Sequence, residues 1–410
     1  MLALAWSNLM HNKLRSLLSA LAVGLGITLM LVSKGLATGS IAEVAQRMQS
    51  VDAELVVLPA QDNIIFSNGA PFPDLIRRLI AKQKDDRGPI AQFVIPVFFG
   101  QVSMGGQQQR LFGVDPAQMP LFLGHRRVIE GQAFDRARAF ARQTQARGGE
   151  PVPEQPEAWQ AYISPGLELV IDDRLRRVGR LDPQTGQRVP YRIGDRIRVM
   201  GYDFRIVGIV ETGVAGRVFA PLQTMREIVL AGEKKSSMFF VKLRPDIDPV
   251  AAADRLAALL GTGARVELKT TYGKLLRESF AQVNMYMNAS SGLALVVCFL
   301  FILLTMYTVV IERTREIGIL KSLGVTRLNL LALSVSEALL ISLVGVGVGI
   351  GLALLAKYAL HVVRPLLTVT LSGELLGLAV LIGLVGGVLS ALYPGYRAAR
   401  LDPATALSSE

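Results

Sequence analysis

Four runs of apolar residues, of 16 residues or more, constrain this chain more than any other feature. A bilayer core of roughly 30 Å is matched by about 20 residues of helix rising about 1.5 Å each. The runs cover residues 17–32, with Lys34 just past the end, then 292–311, 328–355 and 375–393. About 250 residues of ordinary soluble composition separate the first run from the second. With 51% of the chain hydrophobic and only 19% charged, a membrane class follows. The expected fold is an α-helical membrane protein with four transmembrane helices and an α+β extracytoplasmic domain inserted between the first and second.

Basic residues in short segments resist translocation and so report orientation. Lys13 and Arg15 precede the first run, Arg313, Arg315, Lys321 and Arg327 fill the link between the second and third, and Arg397 and Arg400 follow the fourth. With four spans these segments share one side, so both termini and the link read as cytoplasmic and the long segment as outside. The competing reading of residues 17–32 is a cleaved signal peptide, which the small residues Ala37, Thr38 and Gly39 favour. Cleavage would leave three spans and set the basic link at odds with the outer domain. The net charge of +11 does not indicate nucleic acid. Eight of the basic residues sit at the inner membrane surface, where anionic headgroups attract them, and the rest form no stripe. The single cysteine, Cys298, lies within the second run, so the outer domain has no internal disulfide.

Residues 1–36 read as an interfacial helix plus the first span, 37–290 as stalk helices and outer domain, and 291–410 as a membrane domain with three spans. In residues 1–16, Leu2, Trp6, Leu9, Met10, Lys13 and Leu14 share one helical face. An anchor and a partner-binding helix are both open. Helical patterns continue outward through Ile41, Val44, Ala45 and Met48, and precede the second span through Leu275, Leu276, Phe280, Val283 and Met287. That pairing predicts a two-helix stalk. Strands are expected at 53–58, 91–99, 109–114, 196–199, 203–211 and 238–243, and helices at 72–82, 222–231 and 249–260. Residues 136–160 and 181–190 read as loops or insertions.

No catalytic constellation is found: there is no GxxxxGK[ST], GxSxG or HExxH pattern, and His11, His125 and His361 are scattered. Residues 167–173 read as a strand or a helix entry, with Asp172 and Asp173 as solvated carboxylates. Glu337 falls roughly 15 Å along the third span from Arg327, a depth costly in lipid, so it should face the bundle interior. A hinge or relay acid and a structural glutamate are both open. Gly345, Gly347, Gly349 and Gly351 make two overlapping GxxxG pairs and Gly383 with Gly387 a third, which predicts close helix packing within or between chains.

The link Glu312-Arg313-Thr314-Arg315-Glu316-Ile317-Gly318-Ile319-Leu320-Lys321-Ser322-Leu323-Gly324-Val325 resembles the cytoplasmic link of FtsX/MacB-type ABC transporter permeases. So do Ser336-Glu337-Ala338-Leu339-Leu340 and the ending from Tyr393-Pro394-Gly395 through Leu401-Asp402-Pro403 to Leu407. Gly113-Val114-Asp115-Pro116, Gly131-Gln132-Ala133-Phe134, Ile193-Gly194-Asp195 and Phe204 to Val210 resemble that family's periplasmic core domain. The segments 136–160 and 181–190 depart from it.

The resemblance implies a permease subunit in a bacterial inner membrane that binds no cofactor itself. ATP and Mg would belong to a separate cytoplasmic ABC ATPase subunit, and a permease homodimer in membrane lipid is expected. Glu312, Arg313, Arg315, Glu316, Gly318, Lys321 and Gly324 become the ATPase-coupling residues. The implied function is mechanotransmitting export of a hydrophobic or amphiphilic molecule, with a periplasmic adaptor and an outer-membrane duct left open. A regulator of a cell-wall hydrolase and a lipoprotein-releasing permease are the alternatives.

Overall fold

The computed structural model describes residues 13–60, 72–134, 136, 137, 140, 162–182, 184–279 and 281–400. Most of the 1–16 and 136–160 segments and the ending beyond Arg400 lie outside the described residues. Two compact units emerge, one from Met1–Ser40 with Ala281–Glu410, the other from Ile41–Phe280.

Four helices in the described residues are long and apolar enough to cross a membrane. They are α1 (Lys13–Met48), α7 (Ala281–Glu312), α9 (Arg327–Val363) and α10 (Gly373–Arg400), with the short α8 (Thr314–Ser322) between α7 and α9. At about 1.5 Å per residue, the 36 residues of α1 span roughly 54 Å, well beyond a bilayer core. Apolar residues surround these helices rather than forming one stripe, as expected where both bundle and lipid are apolar. The core of this unit holds Ala20, Val23, Ile27 and Leu31 of α1, Ile302 and Met306 of α7, Ile341 and Val346 of α9, and Ala379 and Ala391 of α10.

The Ile41–Phe280 unit is built on a ten-stranded sheet. Its strands are β1 (Leu55–Pro59), β2 (Ala91–Met104), β3 (Gln107–Val114), β4 (Val128–Gly131), β5 (Glu168–Asp172), β6 (Arg196–Val199), β7 (Tyr202–Val210), β8 (Val218–Pro221), β9 (Met238–Leu243) and β10 (Ala264–Leu268). They run in the order β6-β7-β5-β8-β3-β2-β9-β1-β10, with β4 beside β7. Pairing is parallel for β5 with β7 and β3 with β8, and antiparallel elsewhere. The stretch β10-β1-β9-β2 carries α2 (Asp74–Ala81) and α5 (Pro249–Leu260) on one face, the split βαβ arrangement. Strands β3 to β8 are an insertion between its second and third strands.

Alternation along the central strands shows why they read as unbroken apolar runs. Leu55 and Val57 of β1, with Phe239 and Val241 of β9, pack under α2 and α5. Val56 and Leu58, with Met238 and Phe240, point the other way, toward Met119, Phe122 and the outer turns of α1. Both faces are covered, so both parities are apolar. Helix α5 starts where sequence rules place a start: the Asp248 carboxylate accepts from Ala251 N at 3.0 Å, with Pro249 in the first turn. Strands β4, β8 and β10 fall where no strand was expected, and in the segment read as a loop at 181–190 Arg180–Leu181 pairs antiparallel with Arg188–Val189.

Candidate functional site

The link between the second and third long helices is a defined element. Thr314 Oγ1 donates to the carbonyls of Ile311 at 2.7 Å and Val310 at 3.1 Å, closing α7. The chain turns at Arg313 and resumes as α8, with Glu316 in its first turn and Lys321 in its last, the signs that suit a helix dipole. Its end is a Schellman turn. Gly324 takes φ +90, Val325 N donates to Leu320 O at 3.1 Å, and Gly324 N donates to Lys321 O at 3.0 Å. Thr326 Oγ1 then caps α9, accepting from Asn329 N at 3.4 Å.

Helix α8 has two unlike sides. Gly318 is buried, and Arg313, Glu316, Ile317 and Leu320 border a cavity of about 60 Å³ against Leu330, Ser334 and Glu337 of α9. Arg313 Nε lies 3.8 Å from Glu316. Glu337 is only 8% exposed, and the cavity has room for about two waters. Arg315, Ile319 and Leu323 are exposed on the other side, as is Glu312 at the end of α7. Thus Arg313, Glu316 and Glu337 border one small, mostly apolar cavity, Glu316 from its exposed rim, whereas Glu312, Arg315 and Gly324 stand clear of it.

The glycines divide as sharply. Gly345 and Gly349 of α9 sit against α1, where a Cβ on Gly345 would come within 2.7 Å of Val23, and one on Gly349 within 2.8 Å of the Gly24 carbonyl. Thr28 Oγ1 reaches the Gly349 carbonyl at 3.0 Å. Gly383 abuts Val346, and Gly387 abuts Ser342. Gly347 and Gly351 have nothing within 4 Å, so their GxxxG pair takes no part in packing among the described residues. The matching small-residue series on α1, Ala20, Gly24 and Thr28, went unnoticed in the sequence.

Sequence reasoning also missed a charged cluster in the Ile41–Phe280 unit. Arg47, in the last turn of α1, donates from Nη2 to Asp172 at 3.2 Å and from Nε to Glu43 at 3.0 Å. Glu43 also accepts from Arg217 at 2.6 Å and from Arg174 at 3.4 Å. Asp172 is fully buried, not a solvated carboxylate, because it ends β5 inside the core and caps α3 (Asp173–Val178), accepting from Leu175 N at 2.8 Å. Burial pushes its carboxyl above the usual range, with Arg47, the Leu175 N–H and Arg217 pulling the other way. Burial likewise lowers the Arg217 guanidinium, helped by the like charge of Arg47 and opposed by Glu43 and Asp172. Arg47 Nη1 is buried with no hydrogen-bond partner among the described residues. On another side of α1, Gln46 and Gln49 line an open cleft of about 630 Å³. Among the described residues no group of three or more His, Cys, Asp or Glu could hold a metal ion.

Four long apolar helices with an α+β domain inserted after the first define an integral membrane protein of permease architecture. Residues 16–259 match the MacB-like periplasmic core domain and residues 288–403 the FtsX-like permease C-terminal domain, and the chain belongs to the FtsX/MacB-type ABC transporter permease family. Among relatives, it is 26% identical over 429 aligned positions to the pyoverdine export ATP-binding/permease protein PvdT of Pseudomonas syringae, covering 99% of this chain and 59% of that one. It is 28% identical over 254 positions to the macrolide export ATP-binding/permease protein MacB of Escherichia coli O157:H7, covering 59% of this chain and 38% of that one. The chain therefore spans less than two thirds of the length of these relatives. The crystal structure of the periplasmic region of MacB from Actinobacillus actinomycetemcomitans aligns with TM-score 0.37 and 12% identity, over 57% of this chain and 97% of that one.

Proposed function

We propose that this chain is the permease subunit of a mechanotransmitting ABC transporter, with α8 as its contact to a cytoplasmic ATPase. Both termini and the 313–327 link face the cytoplasm, and residues 37–290 lie outside. ATP binds and is hydrolysed on the partner, and the resulting motion passes through the membrane helices to the outer unit, driving export of a hydrophobic or amphiphilic substrate. The relatives named for pyoverdine and macrolide export support an export role. The observation that carries the reading is α8 itself: a capped helix between two membrane helices, with Arg315, Ile319 and Leu323 exposed and its inner side meeting buried Glu337. A helix that only satisfied headgroup charge would have no need of an acid beneath it.

The test is the Glu316→Arg, Gly324→Trp variant, inserted in membranes and purified with its ATPase. Loss of ATPase association, or ATP hydrolysis that no longer supports activity in cells, is expected with insertion unchanged. Normal association with normal activity would remove α8 from the coupling role. Cysteines placed at Ser322 and in the outer unit report the orientation, since only the latter should react with an impermeant reagent from outside.

A further inference from the structure

Among the described residues, the polar attachment of α1 to the outer sheet gathers at Glu43 and Arg47. Helix α1 is unbroken from Lys13 to Met48. Its earlier turns lie in the membrane core through Ala20, Val23 and Ile27, and its last turns lie in the core of the Ile41–Phe280 unit through Ile41 and Met48. Apolar contacts of that kind resist separation but name no single partner atom, so repacking can absorb a small shift. Directional bonds also fix which atoms face each other. From these turns, Glu43 and Arg47 supply the directional bonds that reach the sheet unit among the described residues.

Their partners are well placed to receive a force. Asp172 ends β5, Arg217 directly precedes β8, and these two strands are paired through Val170 and Ile171. Asp172 N also donates to the Arg217 carbonyl at 2.9 Å. A pull on Arg47 or Glu43 therefore enters two adjacent central strands together. The cluster is also a poor choice if stability alone mattered. Burying ions costs solvation that a well-packed apolar group would not lose, and Arg47 Nη1 is left without compensation. What an ion-paired contact supplies beyond an apolar one is fixed geometry.

We infer that Glu43, Arg47, Asp172 and Arg217 form the joint through which α1 moves the outer unit. They act as positioning residues, holding the helix in one register on the sheet. The inference rests on the mechanotransmission reading for its purpose, though the joint itself can be tested without nucleotide.

The experiment is hydrogen exchange followed by mass spectrometry on the full chain in lipid nanodiscs, alone and with its ATPase and ATP. Asp172→Asn is the informative variant, because asparagine keeps the α3 cap while removing the charge. Arg47→Met removes the other partner, and Arg47→Lys restores a cation. Without nucleotide, Asp172→Asn should speed exchange in residues 41–48 by roughly a hundredfold, the scale set by losing a buried ion pair, while β2 and β9 stay unchanged. With the ATPase and ATP, the nucleotide-dependent change should reach β5 and β8 in wild type and Arg47→Lys. It should stop at Met48 in Asp172→Asn and Arg47→Met while hydrolysis continues. Unchanged exchange in 41–48, or equal acceleration across the whole sheet, would overturn the joint. So would a full nucleotide response in β5 and β8 in both uncharged variants. If the ATPase fails to bind wild type, mechanotransmission fails, and the nucleotide-free arm still decides the joint.

Discussion

Glu168 opens β5 at 4% exposure, accepting from Ala137 N at 3.3 Å with Arg205 at 4.0 Å. Burial raises its carboxyl above the ordinary 4.5, and the Ala137 N–H and Arg205 only partly offset this. The folded state thus holds this proton more tightly than the unfolded chain does. Stability from this group is present below pH 4.5 and is lost as pH rises through the raised folded value. Glu168→Gln should therefore melt higher than wild type near neutral pH, with the gap closing under acid, as thermal unfolding of the full chain in detergent would show. A variant less stable than wild type at neutral pH would mean that the carboxylate's contacts outweigh its burial. Gly131 makes a second residue-level case: its φ is +77, and a Cβ would strike the Val207 carbonyl. Gly106 has a similar φ of +75, but a Cβ added there would meet nothing within 4 Å. Gly106→Ala should cost about 1 kcal/mol from backbone strain alone and Gly131→Ala about 1–3 kcal/mol more, measured by denaturant unfolding.

At the scale of elements, the membrane helices were legible because solvent, not tertiary partners, dictates a run of about 20 apolar residues. Which glycine faces which helix was not legible, since overlapping GxxxG pairs differ only in rotation. The structure makes that choice testable. Gly349→Leu should force α1 from α9 and destabilise the membrane unit by about 1–3 kcal/mol, whereas Gly347→Leu should be near neutral, read by thermal aggregation in detergent. Equal effects would mean that Gly347 has a partner too. Strands buried on both faces, such as β9, announced themselves as apolar runs. The strand β8 (Val218–Pro221) did not, being four residues ending in proline, nor did β10, whose Ala-Arg-Val-Glu-Leu belongs to an edge with one face wet. The charged cluster escaped because its members are brought together only by folding: Arg47 and Asp172 are 125 positions apart.

For the whole molecule, the motifs of the α8 link were legible as a family resemblance, while the void joining Arg313 and Glu316 to Glu337 needed three dimensions. The sheet order carries one more consequence, for how the protein comes into being. Strand β1 is flanked by β9 and β10, the last two strands to be synthesised. From Pro59 to Met238 about 180 residues must emerge before β1 meets its first neighbour. At 5–20 residues per second, that is a wait of roughly ten to forty seconds. Throughout it, Leu55-Val56-Val57-Leu58 is a naked, uncharged β-forming segment, the kind that nucleates aggregation. Nascent chains arrested near residue 230 should be digested readily within this segment, and chains arrested with residue 280 clear of the ribosome should resist, as limited proteolysis of stalled complexes would show. A growing chain of this design holds its first strand unpaired until its last ones arrive.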